Sequence, residues 1–157
     1  MAAPNLHPLT SAHADATAAL IRTVFAEHVG RIDPPPSALK ETGANIAAIL
    51  ARGGGAGASI DGTLVACVIW EEKSGGLYFG RLAVAQAARG LGLARALIAA
   101  AEAEARRRGL PHTHLSVRLT LTDNRKLFAS CGYLETAQHA HPGYAAPTFA
   151  DMAKSLA

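Results

Sequence analysis

The stretch LYFGRLAVAQAARGLGLARALIAAAEAEARRRG, residues 77–109, predicts a strand, a glycine loop and a helix in direct succession. Its apolar start, Leu77–Val84, has the length of a buried strand. The glycines of the segment Arg89–Ala94 interrupt that run, and the residues after them repeat at the 3.6-residue period of a helix. The residues that define the buried face of this helix are Leu93, Leu97, Ile98, Ala101 and Ala105.

The outer face and the end of this predicted helix carry charges. We expect Glu102 to pair with Arg106 and Glu104 to pair with Arg108, because residues four apart are neighbours on a helix. Successive arginines suit the negative end of the helix dipole, and Gly109 provides the stop. The strand, loop and helix therefore form one bounded unit.

The start of the helix predicts an anion site. Gly90 and Gly92 leave the first backbone N–H groups uncovered by side chains, and such groups attract phosphate. The same glycines equally suit a helix start that needs only a flexible backbone. A nucleoside-triphosphate loop is excluded, because Leu93 and Ala94 stand where its lysine and its hydroxyl residue belong. A dinucleotide loop is excluded because the third glycine and the acidic residue after the next strand are missing.

The pattern Arg/Gln-x-x-Gly-x-Gly/Ala, matched by Arg89, Gly92 and Ala94, resembles the loop of the GNAT superfamily of acyl-CoA-dependent N-acyltransferases. Residues 123–133, which end in a Gly-Tyr pair, resemble the last helix and the closing Gly-aromatic pair of that family. The resemblance implies that acetyl-CoA is the co-substrate and that backbone amides of the loop hold its pyrophosphate. It also implies that the preceding strand binds the pantetheine arm and the thioester through main-chain groups. The implied coenzyme-binding residues are Leu82, Ala83, Val84, Arg89, Gly90, Leu91, Gly92, Leu93 and Ala94.

Asn124 lies near the start of the last predicted helix. The resemblance implies that its side chain binds the pantetheine arm. Its alternative role is an ordinary helix cap, because an asparagine side chain accepts hydrogen bonds from the first turn. Both roles stay open at this point.

The catalytic groups are harder to assign. Where the family often has the tyrosine that protonates the departing thiolate, this chain has Phe128, and the strand before the loop lacks the family's frequent glutamate base. We select His139, His141 and Tyr144 as candidates for proton transfer, with the histidines first because imidazole titrates closest to neutral pH. The remaining candidates, each of which also has a plain structural role, are Glu71, Glu72, His112 and His114.

Composition predicts one domain, residues 1–157, because 157 residues that are 50% hydrophobic supply a single sizeable core. The net charge of +3 suits an anionic coenzyme. There is no basic stripe with interleaved aromatic residues, so we expect no nucleic-acid partner. No metal site is expected either.

Two further features concern the compartment. Cys67 and Cys131 are separate along the chain and indicate a reducing environment rather than a disulfide scaffold. No apolar run has the length of a membrane span, and the N-terminus lacks the pattern of a signal peptide. We therefore expect a cytoplasmic protein with no membrane partner.

The other elements follow from periodicity and turn signals. We expect helices from Ser11 to about His28, from Ser37 to Arg52, and from a cap at Thr122 or Asp123 to Ser130. The predicted strands are 56–60 and 63–70 around an Asp-Gly turn, then 77–84, 113–119, a strand from Tyr133 and a last strand from 147 to 152. Together they predict an α/β sandwich. Its mixed, mostly antiparallel sheet has about seven strands and is flanked by about four helices.

The most specific functional prediction is an N-acetyltransferase that moves an acetyl group from acetyl-CoA to a primary amine of a small molecule, peptide or protein. The alternative, suggested by Phe128, is an acyl-CoA-binding regulatory module with impaired catalysis. We expect the acceptor pocket between the segment Pro34–Pro36 and the loop from His139 to Tyr144, opposite the phosphates. The alternatives are that the prolines form only a rigid connector and that the late loop is a plain hairpin connection whose histidines face solvent. Exposed edge strands near the C-terminal end could pair two subunits into a homodimer.

Overall fold

A computed structural model describes residues 2–157. In this part of the chain there are seven strands and four α-helices, joined in places by short 3₁₀ turns. The strands are β1 Asn5–Pro8, β2 Gly54–Ile60, β3 Thr63–Lys73, β4 Gly76–Val84, β5 His112–Arg118, β6 Leu134–His139 and β7 Phe149–Ser155. The helices are α1 Ala14–Phe25, α2 Gly43–Arg52, α3 Leu93–Arg107 and α4 Thr122–Ser130.

All the strands belong to one sheet in the order β1-β2-β3-β4-β5-β7-β6. Every neighbouring pair is antiparallel except β4 and β5, which are parallel. The predicted fold class is confirmed: the sheet is mixed, mostly antiparallel, and flanked by four helices. β7 enters between β5 and β6, although it comes last of the three in sequence.

The sheet splits between β4 and β5. These strands pair only at Leu77 with Thr113 and at Tyr78 with His114. Beyond this point β4 contains a bulge, in which Arg81 and Leu82 stand opposite a single residue of β3, and Arg81 adopts a φ of 53°. A bulge bends its strand and increases the local twist. The bulge therefore carries β4 away from β5 and opens a cleft through the sheet.

The helices cover the two faces of the sheet. α1 and α2 pack on one face, where Ile21 and Ile46 are fully buried beside Ile69 of β3. α3 and α4 pack on the other face, where Leu97 and Phe128 join a larger apolar cluster with strand residues. Two apolar layers thus hold the split sheet from both sides.

The prediction of a second helix from Ser37 to Arg52 is wrong in its first part. Ser37 begins only a 3₁₀ turn, Ser37–Lys40, and α2 starts at Gly43 after an extended residue, Glu41. The true cap is Thr42, whose side chain accepts a hydrogen bond from the backbone N–H of Asn45 at 3.1 Å. The helix is interrupted because the Glu41 side chain turns back to the sheet and binds Arg81 at 2.9 Å.

The other helix starts also differ from the prediction. Ser11 opens a 3₁₀ turn that is capped by Thr10, and α1 itself ends at Phe25, with a further turn reaching His28. In α4 the N-cap position is Leu121, so Thr122 and Asp123 lie inside the helix and neither caps it. These errors are each within a few residues, as expected at helix ends.

One strand and several strand boundaries differ from the prediction as well; β3, for example, ends at Lys73 rather than at 70. β1 was not predicted, β2 begins at Gly54 rather than at 56, and β7 runs from 149 to 155 rather than from 147 to 152. β1 exists because it pairs with β2 along its whole length. Its sequence, Asn-Leu-His-Pro, has no alternating apolar pattern of its own.

Glu102 is buried, which corrects one of the two expected ion pairs on α3. The residue is only 7% exposed. Its carboxylate accepts hydrogen bonds from the hydroxyl of Tyr133 and from Nζ of Lys154, both at 3.0 Å. It therefore does not pair with Arg106. The pair of Glu104 with Arg108 is present at 2.7 Å.

Tyr133 packs in the core and is 1% exposed. Its hydroxyl bonds Thr113 at 2.6 Å as well as Glu102, and burial raises the pKa of Tyr133 well above its ordinary value.

None of the helices between residues 2 and 157 combines the length and apolarity that a bilayer-spanning segment requires.

Candidate active site

The glycine loop before α3 presents a row of free backbone donors. Gly90 and Gly92 have φ values of +84° and +76°, and the N-cap position, Gly92, offers no capping side chain. Within residues 2–157, the backbone N–H groups from Gly90 to Arg95 donate no hydrogen bond. A Cβ placed on either glycine would meet nothing within 4 Å, so the space in front of the loop is open. Free donors at a helix start form an anion site.

The loop borders a cavity of about 520 Å³, which we call the coenzyme groove. Its other walls are the end of α1, the edge of β4 and the first two turns of α4. The predicted coenzyme residues that line it are Leu82, Val84, Arg89, Gly90, Gly92, Leu93, Ala94 and Asn124.

The two other predicted residues lie elsewhere. Ala83 is 1% exposed and packs on the α1 and α2 side of the sheet, because neighbouring strand residues alternate between faces. The side chain of Leu91 is exposed at the surface of the loop. Neither residue is among those that line the coenzyme groove.

Arg89 braces the loop from the side. Its Nε donates to the carbonyl oxygen of Val84 at 3.2 Å, and its terminal nitrogen pairs with Glu27 at 2.8 Å. The guanidinium thus ties the loop to β4 and to the turn after α1. It does not project freely into the groove, and the anion site consists of backbone rather than of this side chain.

A second cavity of about 260 Å³, which we call the reaction cavity, passes through the split in the sheet. It is lined from both sheet faces, by Tyr78 and Gly80 on one and by Phe79 and Val117 on the other. The residues it shares with the coenzyme groove are Phe25, His28, Leu82, Asn124 and Phe128. The two cavities therefore meet, and a long ligand can extend from the glycine loop to the split.

Asn124 and Phe128 lie at this junction. Asn124 is not the cap of α4, so the helix-cap alternative is wrong, and its exposed side chain lines both cavities. The ring of Phe128 packs against Phe79 at 6.2 Å and against Tyr133 at 6.3 Å between centroids. Phe128 thus lies in the site but supplies no proton.

Tyr78 is a site residue that the sequence reasoning missed. It is the last residue of β4 that pairs with β5, and it lines the reaction cavity where the split begins. Its ring contacts His114 at 5.4 Å and lies under Nζ of Lys73 at 4.8 Å. The hydroxyl makes no hydrogen bond within residues 2–157.

Gly80 gives the Tyr78 hydroxyl its room. The two residues share one face of β4, and a Cβ on Gly80 would lie 3.6 Å from the Tyr78 hydroxyl oxygen. A larger residue would therefore crowd the phenol. The sequence indicates only the face that Tyr78 occupies, since an aromatic residue that alternates with Leu77 and Phe79 must point to the face opposite theirs.

The three favoured proton-transfer candidates do not form one group. His139 ends β6, lies outside the reaction cavity and bonds Asp151 at 2.7 Å. His141 does line the cavity and hydrogen-bonds Thr148, while desolvation and the nearby Arg118 lower the pKa of its imidazole. Tyr144 donates to a carboxylate oxygen of Asp33, which raises the pKa of that phenol.

The four remaining candidates lie outside the reaction cavity. Glu71 pairs with Arg52 at 2.9 Å, and Glu72 pairs with Arg108 at 3.3 Å. His114 donates to the backbone carbonyl of Lys73 at 2.8 Å, and burial lowers the pKa of its imidazole. His112 lies beside His114, with ring centroids 5.2 Å apart and ring planes tilted by 42°.

The two segments that were expected to flank the acceptor pocket do lie together. Arg118 of β5 donates to the carbonyl oxygens of Pro34 at 2.6 Å and Pro35 at 3.4 Å. The hydrogen bond from Tyr144 to Asp33 joins the same connection to the late loop. Pro36 and His141 both line the reaction cavity.

Residues 23–133 match the family model described as the acetyltransferase (GNAT) family. A comparison with curated proteins finds no significant match.

No group of three or more His, Cys, Asp or Glu residues suited to a metal ion occurs between residues 2 and 157.

Solved structures share the fold at low identity. The PaiA N-acetyltransferase of Thermoplasma acidophilum in complex with coenzyme A is 13% identical, with 98% of this chain and 99% of that chain covered and a TM-score of 0.80. A GNAT-family acetyltransferase of Staphylococcus aureus is 11% identical, with 99% and 100% covered and a TM-score of 0.80. The ribosomal-protein-S18-alanine N-acetyltransferase of Escherichia coli is 20% identical, with 98% and 94% covered and a TM-score of 0.73.

Proposed function

This chain belongs to the acetyltransferase (GNAT) family, and on that basis we propose that it transfers the acetyl group of acetyl-CoA to a primary amine by direct attack. The observation that carries the proposal is the continuity of the two cavities. Free backbone donors lie at one end, in the glycine loop, and an unpartnered phenol lies at the other, at Tyr78.

The coenzyme groove has the chemistry that acetyl-CoA requires. The backbone N–H groups from Gly90 to Arg95 would bind the pyrophosphate. From Phe79 to Val84 no residue of β4 pairs with β5, so that edge of the strand offers main-chain groups to the amides of the pantetheine arm. Asn124 offers a side-chain amide at the same point.

The reaction cavity would hold the thioester and the amine. We assign the hydroxyl of Tyr78 to protonation of the departing thiolate, in place of the phenyl ring of Phe128. We assign the proton of the attacking amine to His141, because its lowered pKa keeps the imidazole neutral and able to accept a proton at neutral pH. The proposed acceptor site lies between Pro36 and His141.

The test combines coenzyme binding with turnover. Calorimetry should show binding of coenzyme A, and thiol release from acetyl-CoA should rise with at least one member of a panel of primary amines. Binding without amine-dependent thiol release would identify the alternative, an acyl-CoA-binding regulatory module. A comparison of acetyl-CoA with longer acyl-CoA thioesters would define the acyl group.

Two further proposals concern the setting of the enzyme. Cys67 and Cys131 are free thiols, which supports a reducing compartment, and we place the protein in the cytoplasm. β6 is an edge strand whose first residue, Leu134, is 74% exposed, and pairing of this edge would give a homodimer. Light scattering of the wild type and of a Leu134→Lys variant tests the second proposal.

A further inference from the structure

The reaction cavity carries positive charge with little compensation. The cationic side chains that line it are Arg81 and Arg118, since burial lowers the pKa of both lining histidines, His28 and His141. No aspartate or glutamate of residues 2–157 is among its lining residues. Arg81 is neutralised by Glu41, with which it makes an ion pair of 2.9 Å. Arg118 makes no ion pair in the part of the chain that the structure describes.

Arg118 is held in place by neutral partners. Two of its five N–H donors bind the carbonyl oxygens of Pro34 and Pro35, and the other three have no partner within residues 2–157. Its side chain is half-buried, and desolvation lowers the pKa of the guanidinium below its ordinary value. The charge therefore lies in a poorly solvated position, where an anion from solution gains most from binding it.

Asp33 is the acidic group near Arg118. The Asp33 carboxylate raises the pKa of Arg118 through its charge, but it is engaged with the hydroxyl of Tyr144 and stays outside ion-pair distance. The donors of Arg118 that point away from Pro34 and Pro35 thus remain free for a ligand.

The sheet places Arg118 within reach of a small molecule that contacts Tyr78. Tyr78 pairs with His114, and Arg118 is four residues further along β5 on the same face. Four residues of strand span about 13 Å between Cα atoms, which the long Arg118 and Tyr78 side chains can shorten. A small molecule that touches the phenol with one end can therefore reach the guanidinium with the other.

We propose that the acceptor is an amine that also carries a carboxylate, and that Arg118 binds this carboxylate while the amine faces the thioester near Tyr78. The inference rests on the proposed function and names the substrate class of the same site. A guanidinium fork matches the two oxygens of a carboxylate, so the arrangement selects for such acceptors.

The test compares amino acids with their neutral counterparts. For wild type, kcat/KM is measured for glycine, β-alanine, 4-aminobutyrate and lysine and for the amide of each, which bears the same amine without the negative charge. We expect the carboxylates to be preferred. Arg118→Gln should lower kcat/KM for the carboxylates by about 10- to 100-fold more than it lowers kcat/KM for the amides. Arg118→Lys should keep part of the preference, because it keeps the charge but loses the fork.

Arg106→Gln is the matched control. Arg106 is exposed on α3 and lines neither cavity, and its replacement removes the same charge from the protein. It should change neither substrate series. Melting temperatures of all variants show whether Arg118 is needed for the fold, and the carboxylate-to-amide ratio within each variant is independent of a general loss of active protein.

Three results would overturn the inference. Wild type that acetylates amides as well as carboxylates has no carboxylate subsite. An Arg118→Gln variant that loses both series equally shows that Arg118 only ties the Pro34 connection to the sheet. If no amine reacts, saturation-transfer NMR of the same amino acids with the coenzyme A complex decides: absence of binding overturns the inference, and binding that Arg118→Gln abolishes supports it. Failure to bind coenzyme A would instead refute the proposed function.

Discussion

The two ends of the candidate site are built in different ways. The anion end of the coenzyme groove consists of consecutive backbone N–H groups from Gly90 to Arg95. The reaction cavity gathers side chains from distant segments, and its walls are held by contacts such as Arg118 with Pro34, 84 residues apart, and Tyr144 with Asp33, 111 residues apart.

This difference decides what each end depends on. A backbone site follows from the local conformation of one loop, so glycine positions and the helix start are enough to define it. A side-chain site exists only once the sheet has brought its strands together. Mutations should therefore separate the two ends, with coenzyme affinity governed by the loop and turnover governed by the cavity.

The largest effect should come from Tyr78→Phe. Loss of the phenol removes the proton for the thiolate, and kcat should fall by about 10²- to 10⁴-fold, the range typical of general acid catalysis. Coenzyme A affinity should not change, because Tyr78 lines the reaction cavity and not the coenzyme groove. Steady-state kinetics and calorimetry measure the two quantities separately.

A second substitution sharpens this result. Phe128 lines both cavities, so Phe128→Tyr added to Tyr78→Phe places a phenol at the junction and should restore part of kcat. Full activity of Tyr78→Phe alone would show that the thiolate takes its proton from elsewhere, and the assignment of Tyr78 would then be wrong.

An intermediate effect on binding is expected for Gly92→Ala. Gly92 and Gly109 lie at opposite ends of α3, have φ values of +76° and +71°, and would each place a Cβ in open space. Alanine at either position costs about 1–2 kcal/mol in the left-handed region. Both variants should therefore lose similar stability in thermal melts.

Only one of the two should lose coenzyme affinity. Gly92→Ala shifts the N–H groups that face the groove, so Kd for coenzyme A should rise by about tenfold, which corresponds to 1.4 kcal/mol. Gly109→Ala serves as the control, with an unchanged Kd expected. Equal Kd values for the two variants would exclude the loop as the pyrophosphate site.

The smallest effect is expected from His141→Ala, and comparison with His139→Ala distinguishes the roles of these two histidines. His141→Ala should lower kcat several-fold and flatten the acid limb of the pH profile. The sign follows from the lowered pKa of His141: the imidazole is neutral at pH 7 and becomes protonated, and unable to accept a proton, only as the pH falls through that lowered value.

His139→Ala should leave the same profile unchanged, because His139 lies outside the reaction cavity and binds Asp151. Rates measured from acid to neutral pH, at saturating acetyl-CoA, provide the comparison. A profile for His141→Ala that overlays that of wild type would remove the late loop from proton transfer altogether.

The parts of the fold that were predicted correctly are those with local causes. The strand, glycine loop and helix of residues 77–109 show their periods and stops directly in the sequence. The interruption before α2 was missed because it depends on Glu41 binding Arg81, 40 residues away. The burial of Glu102 was missed for the same reason, since its partner Lys154 is 52 residues away.

The candidate site shows the same division. Most of the predicted coenzyme residues line the groove, because one loop and one strand edge supply them. His139 and His141 were grouped as loop neighbours, yet β6 extends to His139, which binds Asp151 and does not line the cavity. Tyr78 becomes significant only through the split between β4 and β5, which no local pattern announces.

The position of β7 has a consequence for the order in which the sheet can be completed. β7 follows β6 in the chain but lies between β5 and β6, so β6 has no strand partner until residues 149–155 have left the ribosome. A nascent chain halted after β6 would contain the glycine loop and α3, but β5, which forms one side of the cleft, would still lack its partner strand β7. Coenzyme A added to such stalled chains should therefore bind the coenzyme groove before the wall of the reaction cavity is complete.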